Sequence, residues 1–117
     1  MGKLSTHVLD TMHGLPAQGV HITLYAIQGE DRKLITQAVT NHDGRCNAPL
    51  LQGDELRAGI YELIFKAGAY FSGKGIALPE PRFVDEVSIR FGVASPEENY
   101  HVPLLVTPWA WSTYRGS

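Results

Sequence analysis

Apolar and polar residues alternate with a period of two along most of this chain, and turn chemistry interrupts the alternation at short intervals. Val20, Ile22, Leu24 and Ala26 share one face of the clearest strand, over 20–27. Gly29-Glu30-Asp31 turns it, and 34–40 is the return strand of a hairpin. A first strand covers 4–9. Another covers 60–67, with Tyr61, Leu63, Phe65 and Ala67 on its more apolar face. Val87, Ile89 and Phe91 alternate with Ser88 and Arg90, and 100–107 is among the most apolar stretches of the chain. After Pro108 the pattern predicts a terminal strand over 109–116. Asp10 to Pro16 reads as a loop, Asn47 to Gly53 as strand-poor, and Asn41-His42-Asp43-Gly44 as a turn in which Gly44 supplies the positive φ. Three glycines, Gly68, Gly73 and Gly75, leave room for one short helix between 68 and 78, and Pro79-Glu80-Pro81 ends whatever precedes it. About seven strands in one chain of this size predict an all-β sandwich of two layers in a single domain, 1–117. Spacing does not set the order of strands within the sheets.

Composition narrows the partners rather than the fold. Twelve acidic and ten basic residues give a net charge of −2, with no basic block or stripe, which argues against nucleic acid. No apolar run approaches the roughly 20 residues of a membrane span. The single cysteine, Cys46, cannot staple the fold internally. With no apolar leader ahead of the first strand, it points to a cytoplasmic chain, or a periplasmic one if a leader has been removed.

Several polar groups sit where a plain sandwich does not need them. His7 lies inside the first strand, on the face of Ser5 and Leu9. It reads either as an exposed strand histidine or as an imidazole held on a rigid element. His101 interrupts the apolar segment 100–106 and shares a face with Pro103, while Tyr100, Val102, Leu104 and Val106 share the other. Pro103 has no backbone donor, so this strand is expected at a sheet edge or irregular at that point. Arg45 follows the Asp43-Gly44 turn and is either a solvated surface group or a bidentate clamp for a planar imide or anion. Arg115, near Ser117, is a second candidate, its plain alternative being an ion pair with the terminal carboxylate. His7, His13, His21, His42 and His101 show no metal-ligand spacing, no serine sits in a nucleophile elbow, and no phosphate loop is present. Two imidazoles, a guanidinium and a hydroxyl-rich tail suit water activation and charge stabilisation on a small polar substrate.

Those residues fall within an ordered set of motifs. It begins with Leu4-Ser5-Thr6-His7-Val8-Leu9-Asp10 and Gly14, Pro16-Ala17 and Gly19-Val20. It continues through Thr40-Asn41-His42-Asp43-Gly44-Arg45, Gly59-Ile60-Tyr61, Phe71 and Arg90-Phe91. It closes with Tyr100-His101-Val102-Pro103-Leu104-Leu105 and Ser112-Thr113-Tyr114-Arg115-Gly116-Ser117. The set, which covers nearly the whole chain, resembles the 5-hydroxyisourate hydrolases, the enzymatic branch of the transthyretin-like family. The resemblance implies a transthyretin-like sandwich of two four-stranded sheets with Greek-key-type topology and one short helix. It implies a homotetramer, a dimer of dimers, with sites where dimers face each other. It maps catalytic roles onto His7, Arg45 and His101, and places substrate-binding residues at Tyr114, Arg115 and Ser117, with no cofactor and no metal. The implied reaction opens the six-membered ring of 5-hydroxyisourate with water, giving 2-oxo-4-hydroxy-4-carboxy-5-ureidoimidazoline. Either histidine can be the base, the other positioning substrate or assisting proton transfer.

Two other classes fit the fold. A carrier of transthyretin type would need apolar channel walls rather than this polar set. A structural sandwich subunit would be indifferent to replacement of both His7 and His101 by asparagine.

Overall fold

The computed structural model of the chain describes residues 1–116. Ser117, one of the substrate-binding candidates, lies outside the described residues. Nine strands form two layers: β1 (Lys3–Asp10), β2 (Leu15–Pro16), β3 (His21–Gln28), β4 (Asp31–Val39), β5 (Leu51–Gln52), β6 (Gly59–Phe65), β7 (Val87–Val93), β8 (Tyr100–Val106) and β9 (Trp111–Thr113). One helix, α1 (Ala67–Gly73), follows β6. The second sheet runs β4-β3-β6-β7, and the first runs β2-β1-β8-β9 with β5 also on β1. The first sheet is thus the expected four-stranded path plus one extra two-residue strand. β1 is long enough for β2 to pair at Leu9 and Asp10 while β5 pairs on the same edge at Lys3 and Leu4.

β1 and β8 are parallel neighbours from opposite ends of the sequence, Ser5 facing His101 and His7 facing Pro103. Parallel strands cannot be joined by a tight hairpin. The chain between them builds the whole second sheet before β8 returns beside β1, which is the Greek-key-type path. The remaining pairs are antiparallel.

Period-two burial follows the hydrophobic pattern. Leu4, Thr6, Val8 and Asp10 of β1 point inward, as do Tyr100, Val102, Leu104 and Val106 of β8. They meet Ile22, Leu24, Leu63 and Phe65 from the second sheet, and Phe71 of α1. Burying Phe65 or Phe71 contributes about 2–3 kcal/mol each. The complementary face of β1 and β8 carries Ser5, His7 and Leu9 beside His101 and Leu105, all half-buried.

Two expectations need correction. The helix starts at Ala67, so the strand before it stops at Phe65 rather than Ala67. The terminal strand is three residues rather than the whole of 109–116. Its start is delayed because Thr107 to Ala110 form a turn, the Thr107 N–H donating to the Ala110 carbonyl at 2.8 Å. β8 is an interior strand, so of the two alternatives at Pro103 it is the irregularity that holds. Pro103 is accommodated by an interruption of the β8/β9 ladder: pairing covers Leu104 to Val106 and resumes as an isolated bridge between His101 and Gly116. In the gap, the Thr113 hydroxyl donates to the Pro103 carbonyl at 2.6 Å.

One buried polar group ties the first sheet to the helix. Asp10 is 1% exposed and accepts from His13 Nδ1 at 2.6 Å, the His13 N–H at 2.9 Å and the Tyr70 hydroxyl at 2.8 Å. Burial pushes its carboxyl upward, but the donors from His13 and Tyr70 outweigh that, and the net shift is downward. Burial and the Asp10 carboxylate raise the Tyr70 phenol above its ordinary range. Asp10→Ala is expected to cost about 3 kcal/mol in urea unfolding, because it strands buried donors. A group held below its unfolded value contributes stability above that value, about 3.9, and loses it as pH falls through the folded one. The difference between wild type and variant therefore shrinks in acid. A gap that is unchanged from neutral pH down to acid would contradict the assignment.

Candidate active site

The edge of β1 left free between β5 and β2 is taken by the turn that carries Arg45. The Val8 N–H donates to the Gly44 carbonyl at 2.8 Å, and His7 and Arg45 form an isolated antiparallel bridge. The turn is closed by Asn41, whose Oδ1 accepts from the N–H groups of Asp43 at 2.9 Å and Arg45 at 3.2 Å. Gly44 has φ of 75°, and a β-carbon there would lie 2.4 Å from the Val8 carbonyl oxygen. Only glycine lets the turn come this close to β1, and that approach is what brings Arg45 beside His7.

His7 and His101 stand on adjacent strands with ring centroids 6.4 Å apart and planes tilted by 40°. A carbonyl oxygen only accepts, so the 2.9 Å contact between His7 Nε2 and the Asp43 carbonyl makes Nε2 the protonated nitrogen and leaves Nδ1 with its lone pair in the neutral ring. Burial and the Arg45 charge push the His7 imidazole below its ordinary value, partly offset by the Asp43 carbonyl and carboxylate. Burial, Arg45 and His7 all push His101 the same way, and nothing opposes them. The Arg45 guanidinium is exposed and makes no hydrogen bond among the described residues, so its fork is available to a ligand. A hollow of about 180 Å3 opens beside it, walled by Ser5, Asn47 and Pro49. Cys46 also borders the hollow, but burial raises its thiol and leaves it a poor nucleophile.

The three groups separated most widely in sequence thus converge on one patch. The terminal residues divide. Gly116 lies against His101, its N–H donating to the His101 carbonyl at 2.7 Å. The Arg115 side chain is on the opposite face of the sheet. Its guanidinium stacks 4.1 Å over the Tyr100 ring and donates to Glu98 Oε1 at 2.9 Å and the Asn99 carbonyl at 3.0 Å. Tyr114, 61% exposed, joins Arg115 along a hollow of about 230 Å3 that reaches Phe91 and Gly92 of the other sheet. Sequence reasoning passed over Ser5, whose Oγ is 2.8 Å from His101 Nδ1. Its one signal was the alternation that puts Ser5 on the same face as His7.

A family model described as HIUase/Transthyretin matches residues 4–116. The chain belongs to this family. A 5-hydroxyisourate hydrolase of Pseudomonas aeruginosa is 54% identical over 117 residues, covering 100% of this chain and 93% of that protein. The crystal structure of (S)-allantoin synthase superposes with a TM-score of 0.94 at 45% identity. It covers 99% of this chain, which spans 44% of that longer protein. The structure of Klebsiella pneumoniae 5-hydroxyisourate hydrolase superposes with a TM-score of 0.83 at 36% identity, all of both chains being covered. Membership places the patch of His7, Arg45 and His101 on the hydrolase and transthyretin sandwich shared by these proteins.

Proposed function

We propose that this chain hydrolyses 5-hydroxyisourate to 2-oxo-4-hydroxy-4-carboxy-5-ureidoimidazoline, with His7, Arg45 and His101 as its catalytic residues. The observation that carries the residue assignment is the convergence of two imidazoles, both biased toward neutrality, beside a guanidinium that makes no hydrogen bond among the described residues. Water held between the rings gives a proton to His101 Nε2 as its oxygen bonds to the six-membered-ring carbonyl carbon. Arg45 stabilises the oxyanion through its planar fork. As the intermediate collapses, the ring C–N bond breaks and the leaving nitrogen takes the proton that His101 gained from water, while His7, neutral with Nε2–H donating to the Asp43 carbonyl, orients the water through its bare Nδ1. In this reading the end of the chain meets the site through Gly116, which lies against His101, with Ser117 included from the motif, while Tyr114 and Arg115 line the hollow on the other face and Arg115 holds the segment in place.

The ultraviolet decay of freshly generated 5-hydroxyisourate tests the activity. Catalytic amounts of protein accelerate it if the chain is the enzyme. Stoichiometric protection without turnover would indicate a carrier instead.

A homotetramer, a dimer of dimers, completes the proposal. Its support is that the three groups lie on the open outer face of the first sheet, beside half-buried Leu9 and Leu105, rather than in a closed cavity. A second copy over that face would exclude water and strengthen every charge interaction there. Trp109 and Trp111, 58% and 43% exposed, offer further apolar surface on the same chain. Specific activity is expected to fall on dilution in step with dissociation in sedimentation. A monomer with full specific activity would eliminate the shared site. A cytoplasmic setting belongs to the same reading, the lone thiol of Cys46 being compatible with a reducing compartment.

A further inference from the structure

His101 is held from two sides, and neither holder has a chemical role in the mechanism above. On one side is Ser5 Oγ, 2.8 Å from Nδ1. Ser5 and His101 are register partners in the β1/β8 pair, so the bond joins two interior strands and not a mobile loop. On the other side is Gly116. A β-carbon built there would lie 2.8 Å from His101 Cδ2 and 3.2 Å from its Cβ, so the imidazole occupies the space a side chain at 116 would need.

A serine hydroxyl can accept or donate, and the choice fixes the ring's tautomer. If Ser5 donated, Nδ1 would be bare and Nε2 would carry hydrogen. Nε2 is the ring nitrogen that Ser5 leaves open, and it is the one the mechanism above uses as the base. A base must keep its lone pair, so the working form is the one in which Nδ1–H donates to Ser5. We propose that Ser5 is a positioning residue that fixes His101 with Nδ1 protonated and Nε2 bare, and that Gly116 is the opposing wall that keeps the ring in this pose. The role deepens the hydrolase reading and rests on it for the expected tautomer and for its kinetic consequence. The tautomer itself is a property of the resting protein.

The test uses full-length protein labelled with 15N at histidine, with long-range 1H–15N spectra recorded at about pH 8, where imidazole is neutral. Wild type is expected to show His101 with a protonated Nδ1 and a bare Nε2. Ser5→Ala is expected to shift the ring toward the reverse form and to lower kcat about tenfold or more with KM within about twofold. Ser5→Thr, which keeps the hydroxyl and suits a strand, should restore both. Gly116→Ala should disturb the same His101 signals. A bare Nδ1 in wild type, or an unchanged tautomer in Ser5→Ala, overturns the proposal. Unchanged signals in Gly116→Ala remove the wall from it. Should Ser5→Ala fail to fold, the wild-type and Ser5→Thr spectra decide. If wild type leaves 5-hydroxyisourate untouched the hydrolase reading falls, while the spectra still judge Ser5.

Discussion

Lysine at position 45 is expected to lower turnover of 5-hydroxyisourate by about 10²–10³-fold, the range seen when one oxyanion donor is lost. The charge survives the substitution but the planar fork does not. An ammonium is a compact, strongly hydrated donor, and it cannot present two parallel N–H groups to a developing oxyanion and its neighbouring ring atom. Stability should move by no more than about 0.5 kcal/mol, because Arg45 is exposed and its side chain has no hydrogen bond among the described residues. The turn that presents it is closed by backbone and by Asn41, all of which Arg45→Lys leaves intact. Saturating-substrate kinetics alongside a urea melt separate the two quantities. Turnover like that of wild type would take Arg45 out of the mechanism.

His101→Asn should lower kcat by about 10²–10⁴-fold, the usual contribution of a positioned general base. Asparagine keeps a polar group near Ser5 but cannot take a proton from water. The substitution also has a signature in pH. Burial, Arg45 and His7 all disfavour the charged imidazole at His101, so its pKa lies below the ordinary value of 6.5. A base whose conjugate acid is disfavoured stays competent to lower pH. The acid limb of kcat/KM in wild type is therefore expected below pH 6.5, and His101→Asn should abolish that limb in its residual activity. A retained limb would move the base role to His7, whose Nδ1 is the other bare nitrogen facing the patch.

Much of the fold was legible because half-buried strands declare themselves by alternation. The faces assigned to 20–27, 60–67 and 100–106 are the faces that are buried. What failed depended on partners. β2 and β5 are too short to show a period, and they exist because the long edge of β1 offers them donors and acceptors. Pro103 left an edge and an irregularity open, because its missing N–H excludes it from a continuous ladder. The sheet has a gap in the β9 pairing at that point, and which alternative holds is set by strand order, which no spacing encodes. The site divides in the same way. His7, Arg45 and His101 could be named as candidates from residue type, position and family motif, but their meeting required the parallel β1/β8 register and the close approach of the Gly44 turn. Ser5 was invisible as a partner of His101 for the same reason.

The spacing of the two imidazoles has an indirect author in the core. His7 and His101 are set side by side by the β1/β8 register, and that register is locked on the reverse of the sheet by Leu4, Val8, Val102 and Leu104. A slip of one residue would drive His101 inside and turn Tyr100 out to solvent. Aliphatic groups that never meet substrate thus act as the jig for its chemistry, and mutational drift among them is restrained by catalysis as well as by folding.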